Sequence, residues 1–490
     1  MWLAADRAPA KAYDARLQRS HFNRSGYLLM TQRPFLSMLR LAVLLAVSQS
    51  AVAALQPASA FETTLANGLR VIVKEDHRAP TVVHMVWYRA GAIDEIDGTS
   101  GVAHVLEHMM FKGTKKVGPG QFSKRVAAVG GRDNAFTNLD YTAYFQQVPK
   151  RALAAMMALE ADRMANLRLD AREFAQEIKV VMEERRMRTD DNPQALVNER
   201  LQSVAFQEHP YRRPVIGWMS DLEQMSYRDA QDWYRRWYAP NNAYVVVVGD
   251  VDHAEVFRLA EKYYGGIKRR ALPTRRALAE PKQLGIKRLE VRAPAKLPYL
   301  MMAWKVPKLQ DIRRDREPYA LEMLSALLDG HDAARLSKDL VRGQKIAQSA
   351  SAGYDATLRG EAQFILDGQP AEGRTVADLE AALRAEIRRI QEEGVSAEEL
   401  ARAKTQTLAG QIYKRDSMMA QAMEIGGAEA AGVHWQDIDT MLEMTRGVTA
   451  EEVQAAARKY FRDDALTVAV LDPQPLDAVA AKATVTAPSH

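Results

Sequence analysis

His104, Glu107 and His108 stand within five positions of one another in the run Gly101-Val102-Ala103-His104-Val105-Leu106-Glu107-His108-Met109-Met110-Phe111-Lys112-Gly113-Thr114. In a helix, residues i and i+4 stack on one face, so two imidazoles at this spacing can grip one metal ion. Glu107 adjoins the second imidazole and reaches the rim of the same site, where a carboxylate could take a proton from metal-bound water. A histidine pair on a helix is commonplace by itself; its meaning depends on what else converges there. The 490-residue chain has no cysteine, which excludes disulfides, thiolate ligands and a thiol nucleophile and leaves metal binding to imidazole and carboxylate.

Catalytic zinc takes three protein ligands and a water, so a third ligand must come from an element facing the histidine helix. From Asp170 the sequence predicts a helix opened by a capping box, Asp170 with Glu173. Its stripe runs Phe174, Glu177, Val181, Glu184, at helical spacing. Two carboxylates on a stripe that should be apolar break a local rule, and such breaks fall at functional sites. Glu184 is the expected third ligand. Glu183 beside it is rotated off the stripe. Glu177, two turns before the ligand, is placed to hydrogen-bond a ligand imidazole. The expected cofactor is one Zn2+ per chain, which lowers the pKa of a bound water to about 7. Glu107 would accept that proton and later hand one to the leaving amine.

The elements that position these residues are legible as one unit used twice. Thr63 to Val73 reads as strand, Asn67-Gly68 turn and strand, and Val82 to Tyr88 as another strand before the Gly91 loop. Gly130-Gly131 begins a turn that continues into a strand through Tyr141 to Phe145. Two helices follow, from about Ala152 to Leu167 and from Asp170. Trp237 to Asp250 reads as helix end, turn and buried strand, and its echo is Lys459 to Asp472. Leu169 to Phe174 is likewise echoed by Val395 to Leu400. The drifting offset indicates a duplicated domain. The expected fold class is α+β, two homologous domains, each a mostly antiparallel sheet packed against helices. The expected divisions are an extension with signal peptide (1–60), an N-terminal zinc-binding domain (61–267), a linker (268–284) and a C-terminal homologous domain without the metal site (285–490).

The repeat supplies a control. By the same offset Ala403 falls opposite Glu177 and Gly410 opposite Glu184, and Met323 to Gly330, opposite the histidine helix, contains no histidine. A merely architectural set would have reason to persist in both copies. Elsewhere, Val376, Leu379, Leu383, Ile387 and Ile390 form an ordinary amphipathic face ending at Gly394. The many methionines read as core filler, and His84, His209, His253 and His434 lack ligand spacing.

The net charge of +5 lies entirely within residues 1–60, so no basic body remains to bind nucleic acid. Arg33 and Arg40 precede the apolar run Leu41–Val47, followed by cleavage candidates Ala51-Val52-Ala53 and Ala58-Ser59-Ala60. Export to the periplasm is expected, with cleavage near Ala53 or Ala60. The run is short for a membrane span and no later one is longer, so no stable membrane anchor is expected.

Taken together, the segments resemble the insulinase/pitrilysin peptidases, the family of the mitochondrial processing peptidase. They are Gly101–Thr114 with its inverted zincin signature H-x-x-E-H, Gly130-Gly131-x-x-Asn134-Ala135-Phe136-Thr137, Glu177 with Glu184, and His209-Pro210-Tyr211-x-x-Pro214-x-x-Gly217. The resemblance extends from Phe61 to nearly the C-terminus. It implies paired α+β domains enclosing a chamber, and peptide substrates bound as an added strand on an edge formed by Asn134, Ala135 and Phe136. It also marks a departure. Active members usually carry an arginine and a tyrosine, seven apart, in the second domain, where this sequence aligns Val341 and Gln348. Arg342 is one residue away. The expectation is therefore a zinc-dependent endopeptidase that relies on a homologous partner subunit for the missing pair, or on a homodimer. The rivals are a non-proteolytic scaffold or partner subunit, and another metal-dependent hydrolase.

Overall fold

The computed structural model describes residues 60–276 and 278–476; the stretch before Ala60, where a signal peptide is expected, lies outside the described residues. In the first half, β1 (Ala60–Thr64) and β2 (Arg70–Glu75) flank the Asn-Gly turn and are followed by β3 (Thr81–Tyr88), α1 (Val102–Met109) and α2 (Gln121–Ala128). Next come β4 (Arg132–Thr137), β5 (Thr142–Pro149), α3 (Leu153–Asn166), α4 (Ala171–Arg185) and α5 (Pro193–Ala205). The half closes with α6 (Met219–Gln224), α7 (Tyr227–Trp237), β6 (Ala243–Gly249) and α8 (His253–Tyr264). The second half runs β7 (Lys287–Pro294), β8 (Tyr299–Val306), α9 (Glu317–Asp329), β9 (Ala347–Tyr354) and β10 (Ala362–Pro370). It ends with α10 (Val376–Glu393), α11 (Ala397–Lys414), α12 (Met418–Ala431), α13 (Ile438–Arg446), α14 (Ala450–Tyr460) and β11 (Leu466–Gln474).

The first sheet has the order β1-β2-β6-β3-β5-β4 and the second β7-β11-β8-β10-β9. With β1 set aside the two orders coincide strand for strand. Each sheet has one parallel pair, β2–β6 or β7–β11, and is otherwise antiparallel. These are the two homologous α+β domains expected from the repeat. Two local readings need correction. The stretch from Gly130 to Phe145 forms two strands, because Asn138 to Asp140 turn the chain and β4 and β5 pair as a hairpin. At the start of α4 the Asp170 carboxylate accepts the Arg172 and Glu173 N–H groups, the Asp170 half of the proposed box.

Each sheet is covered on its second face by a helix from the other half. Val197, Leu201 and Ala205 of α5 pack on Tyr299, Met301 and Ala469 of the second sheet. Ala422, Ile425 and Ala430 of α12 pack on Trp87, Tyr244 and Val246 of the first. Gly426 permits this approach, since a Cβ there would lie 2.1 Å from the Trp87 ring. The opposite face of the first sheet packs against α1, α3, α7 and α8 through Val86, Leu106, Met157, Tyr234 and Leu259, forming the core that carries the histidine helix.

Candidate metal centre

Helix α1 is short and begins at Gly101, which has φ +85° and no capping side chain. Other groups hold that end. The buried Glu95 carboxylate accepts the N–H groups of Gly101 and Ala103, each at 2.9 Å. Ser100 is bonded to Asp221. Gly217 lies back to back with Gly101, and a Cβ on either would come within 2.8 Å of the other's Cα. Arg213 donates to the Glu95 carbonyl at 2.6 Å. Burial pushes the Glu95 carboxyl up to about 8 despite its two N–H donors.

From this anchored start His104 and His108 project from one face, their ring centroids 4.8 Å apart. Helix α4 brings Glu184 opposite them. Glu184 Oε2 is 3.3 Å from His108 Nε2 and 3.8 Å from His104 Nε2. Two donors on one tetrahedral zinc at roughly 2.0–2.2 Å stand about 3.4 Å apart. The three donor atoms all lie within 4.8 Å of one another. Glu184 Oε1 is taken by Arg188 at 2.6 Å, which leaves Oε2 facing the imidazoles. Burial, then the neighbouring His108, depresses His104 to about 4, so at neutral pH it is an unprotonated donor. Burial would also depress His108, but hydrogen bonds to Glu177 and Glu184 outweigh it and hold it at about 9. The donor set fits a divalent cation, which would displace the His108 proton from between those carboxylates.

Glu177 accepts from His108 Nδ1 at 2.9 Å and also pairs with Lys112. Glu183 is turned out to solvent, its side chain 61% exposed. Glu107 is buried, and burial raises its carboxyl even though the Thr137 hydroxyl donates to its Oε2 at 2.5 Å. Residue type and spacing give neither Thr137 nor Lys112 a role, although both lie within the segments that carry the resemblance. Asn134, Ala135 and Phe136 lie on β4, at the end of the first sheet. The Asn134 side chain is exposed and Ala135 faces the α1 side, whereas Phe136 points the other way against Trp87 and Tyr141.

In the second half, Val341 packs at the margin of the core and Gln348 is exposed at the start of β9. Arg342 bonds the Asp332 carbonyl. Ala403 is buried and Gly410 exposed. Among the described residues the only other grouped donors are Glu75, Asp252 and His253, and these are engaged at the start of α8. Asp252 caps Glu255 N–H, while His253 meets Glu75 through both its backbone N–H and Nδ1. No helix among the described residues is long and apolar enough to cross a membrane.

Residues 70–218 match the family model described as insulinase, peptidase family M16, and residues 224–407 the one described as the peptidase M16 inactive domain. The zinc protease PqqE of Helicobacter pylori is 30% identical over 418 residues, covering 84% of this chain and 92% of that one. The crystal structure of a protease from Helicobacter pylori superposes with a TM-score of 0.80 at 29% identity, covering 85% of this chain and all of that one, 100%. The periplasmic protease PqqL of Escherichia coli shares the fold at a TM-score of 0.73 and 20% identity; the match covers 87% of this chain and 49% of PqqL. By its two sheets, the two family models it matches and its likeness to the zinc protease PqqE, the chain belongs to the insulinase family of peptidases, M16.

Proposed function

We propose that this chain is a zinc-dependent endopeptidase of peptides or small unfolded proteins, acting in the periplasm after removal of its signal sequence. We further propose that it works with a homologous partner subunit, or as a homodimer, and that its own two domains divide at the linker 268–284. The observation that carries the reading is the convergence of His104 Nε2, His108 Nε2 and Glu184 Oε2 on one point. In the partner's favour, Val341 and Gln348 carry no charge or phenol, and the PqqL chain is about twice as long as the part that this chain matches. The periplasmic assignment draws on the arginines and apolar run before Ala60 and on the description of PqqL.

In this reading His104, His108 and Glu184 hold the metal, and Glu177 fixes the ring of His108 and its tautomer. Zinc bound there would lower the pKa of water to about 7 and polarise the scissile carbonyl. Glu107 takes the water's proton on its carboxylate and passes it to the departing amine. Asn134, Ala135 and Phe136 offer the substrate a strand edge whose backbone groups pair with an extended peptide. That geometry demands an unfolded substrate segment.

The second reading, a non-proteolytic partner subunit, has in its favour the description of the model matched by residues 224–407. Elemental analysis and peptide cleavage separate the two. Zinc should co-purify at one ion per chain; Glu184→Gln should lose the metal, and Glu107→Gln should keep it and lose turnover. Cleavage should be weak with the isolated chain and rise when its homologue is added, by ~10²–10³ if a transition-state donor is restored. Zinc-free protein, or turnover by Glu107→Gln, overturns the peptidase reading. Full activity of the isolated monomer overturns the need for a partner.

A further inference from the structure

The second half has no cluster of metal donors among its described residues, yet its β9–β10 loop reaches the first half close to the candidate base. The Arg359 N–H donates to Asp140 Oδ2 at 2.9 Å. Its guanidinium Nη1 donates to the Asp140 carbonyl at 2.8 Å and to Asp94 Oδ2 at 3.1 Å. The next residue, Gly360, donates its N–H to the Tyr211 hydroxyl at 2.9 Å, and that hydroxyl donates to Asp140 Oδ1 at 2.6 Å. Asp140 and Tyr211 are both 4% exposed. These bonds form a largely buried, charge-assisted network, with the Arg359 side chain 18% exposed, whose members constrain one another.

Asp140 belongs to the turn that joins β4 to β5. The other side of that turn is fixed by the first half itself, since Ile93 N–H donates to the Leu139 carbonyl at 2.7 Å and Ala92 N–H to the Asn138 carbonyl at 3.2 Å. Thr137, the last residue of β4, stands three positions before Asp140 and carries the hydroxyl that holds Glu107. Gly360 of the second half meets the His-Pro-Tyr segment at two residues, lying against the His209 ring and donating its N–H to the Tyr211 hydroxyl.

Resting on the peptidase reading of this site, we propose that Arg359, with Tyr211, is a positioning residue for the Glu107 carboxylate, acting through the β4–β5 turn and the Thr137 hydroxyl. The metal-free half then aims the base. The bare alternative is a seam that only holds the halves together.

The experiment is a double-mutant cycle on the full chain, loaded with zinc and assayed with its homologue present. Thr137→Val should lower kcat by ~10–100-fold, the usual cost of losing an outer support, with KM and zinc content unchanged. Thr137→Ser should restore most of it. Arg359→Ala should lower kcat in the same way, and on the Thr137→Val background it should add little further loss, because both act on one contact. Multiplying losses, or an unchanged kcat in folded Arg359→Ala, overturns the proposal. If the wild-type chain cleaves no peptide, the peptidase reading falls, and the positioning is read from a crystal structure of Arg359→Ala. There a Thr137 hydroxyl withdrawn from Glu107 supports it, and an unaltered contact overturns it.

Discussion

His104 and His108 are chemically identical in the sequence and differently supported in the fold. His108 Nδ1 donates to Glu177, whereas His104 Nδ1 is buried with no hydrogen-bond partner among the described residues. On its Nδ1 side the His108 ring is therefore oriented by the Glu177 carboxylate, which is itself steadied by Lys112. Glu177→Ala would free the ring and leave an ammonium group facing it. Zinc affinity, measured by chelator competition, should drop ~10–100-fold, and Glu177→Gln, which retains an acceptor oxygen, should lose less. Equal affinity in Glu177→Ala would mean that the ring is held by packing alone. Glu177 and Glu184 could be singled out beforehand because both sit on one helix whose periodicity marks the inward face. Thr137 could not. It meets Glu107 across a strand–helix contact thirty residues apart in sequence, and no spacing rule connects a strand position to a helix position.

The elements around the histidine helix behave as a frame. The segment from Gln207 to Trp218 runs from the linker to the start of α1, with Gly217 against Gly101 at one end. At the other end Glu280 of the linker accepts the N–H groups of Gln207, Glu208 and His209 at 2.8–2.9 Å and pairs with Lys305 at 2.6 Å. Gly217 is visible in the sequence as part of a motif, but what it touches is not, because close backbone approach leaves no trace in composition. Two groups make the frame acid-sensitive. Burial holds His209 at about 4, below its ordinary 6.5. Burial would raise Glu280, but Lys305 and the three N–H donors outweigh it and hold it at about 2, below its ordinary 4.5. Both shifts are downward, so both groups contribute stability at neutral pH that is lost on acidification. The His209 share should disappear between pH 6.5 and 4, and the Glu280 share between 4.5 and 2. Melting temperature against pH should therefore fall from about pH 6.5 downward, and His209→Asn should flatten the upper part of that fall. A variant curve parallel to the wild type across pH 4–6.5 would exclude His209 as its source.

At the scale of the whole molecule, the duplication was readable from the echo between Trp237–Asp250 and Lys459–Asp472, because both end in buried strands with the same approach. The exchange of α5 and α12 was not. Val197, Leu201 and Ala205 define an amphipathic face, but periodicity says that a face must be covered, never by which sheet. The consequence is thermodynamic. Ile72, Val83, Met85, Trp87, Tyr244, Val246 and Val248 are all fully buried on the face that α12 covers. Fully burying a large apolar side chain is worth roughly 1.5–3 kcal/mol, so uncovering this face costs on the order of 10 kcal/mol, as much as a domain's whole stability. A fragment of residues 60–280 retains every metal donor but leaves that face bare. It should fail to fold cooperatively, showing weak near-ultraviolet circular dichroism and dye binding, while the intact chain melts in a single calorimetric transition. Adding a second fragment, residues 281–476, should restore the near-ultraviolet signal and zinc binding together, since each fragment supplies the helix that the other lacks. Independent folding of the first fragment, with a sharp melt and stoichiometric zinc, would show that α12 is a dispensable cover and that the two halves are separable.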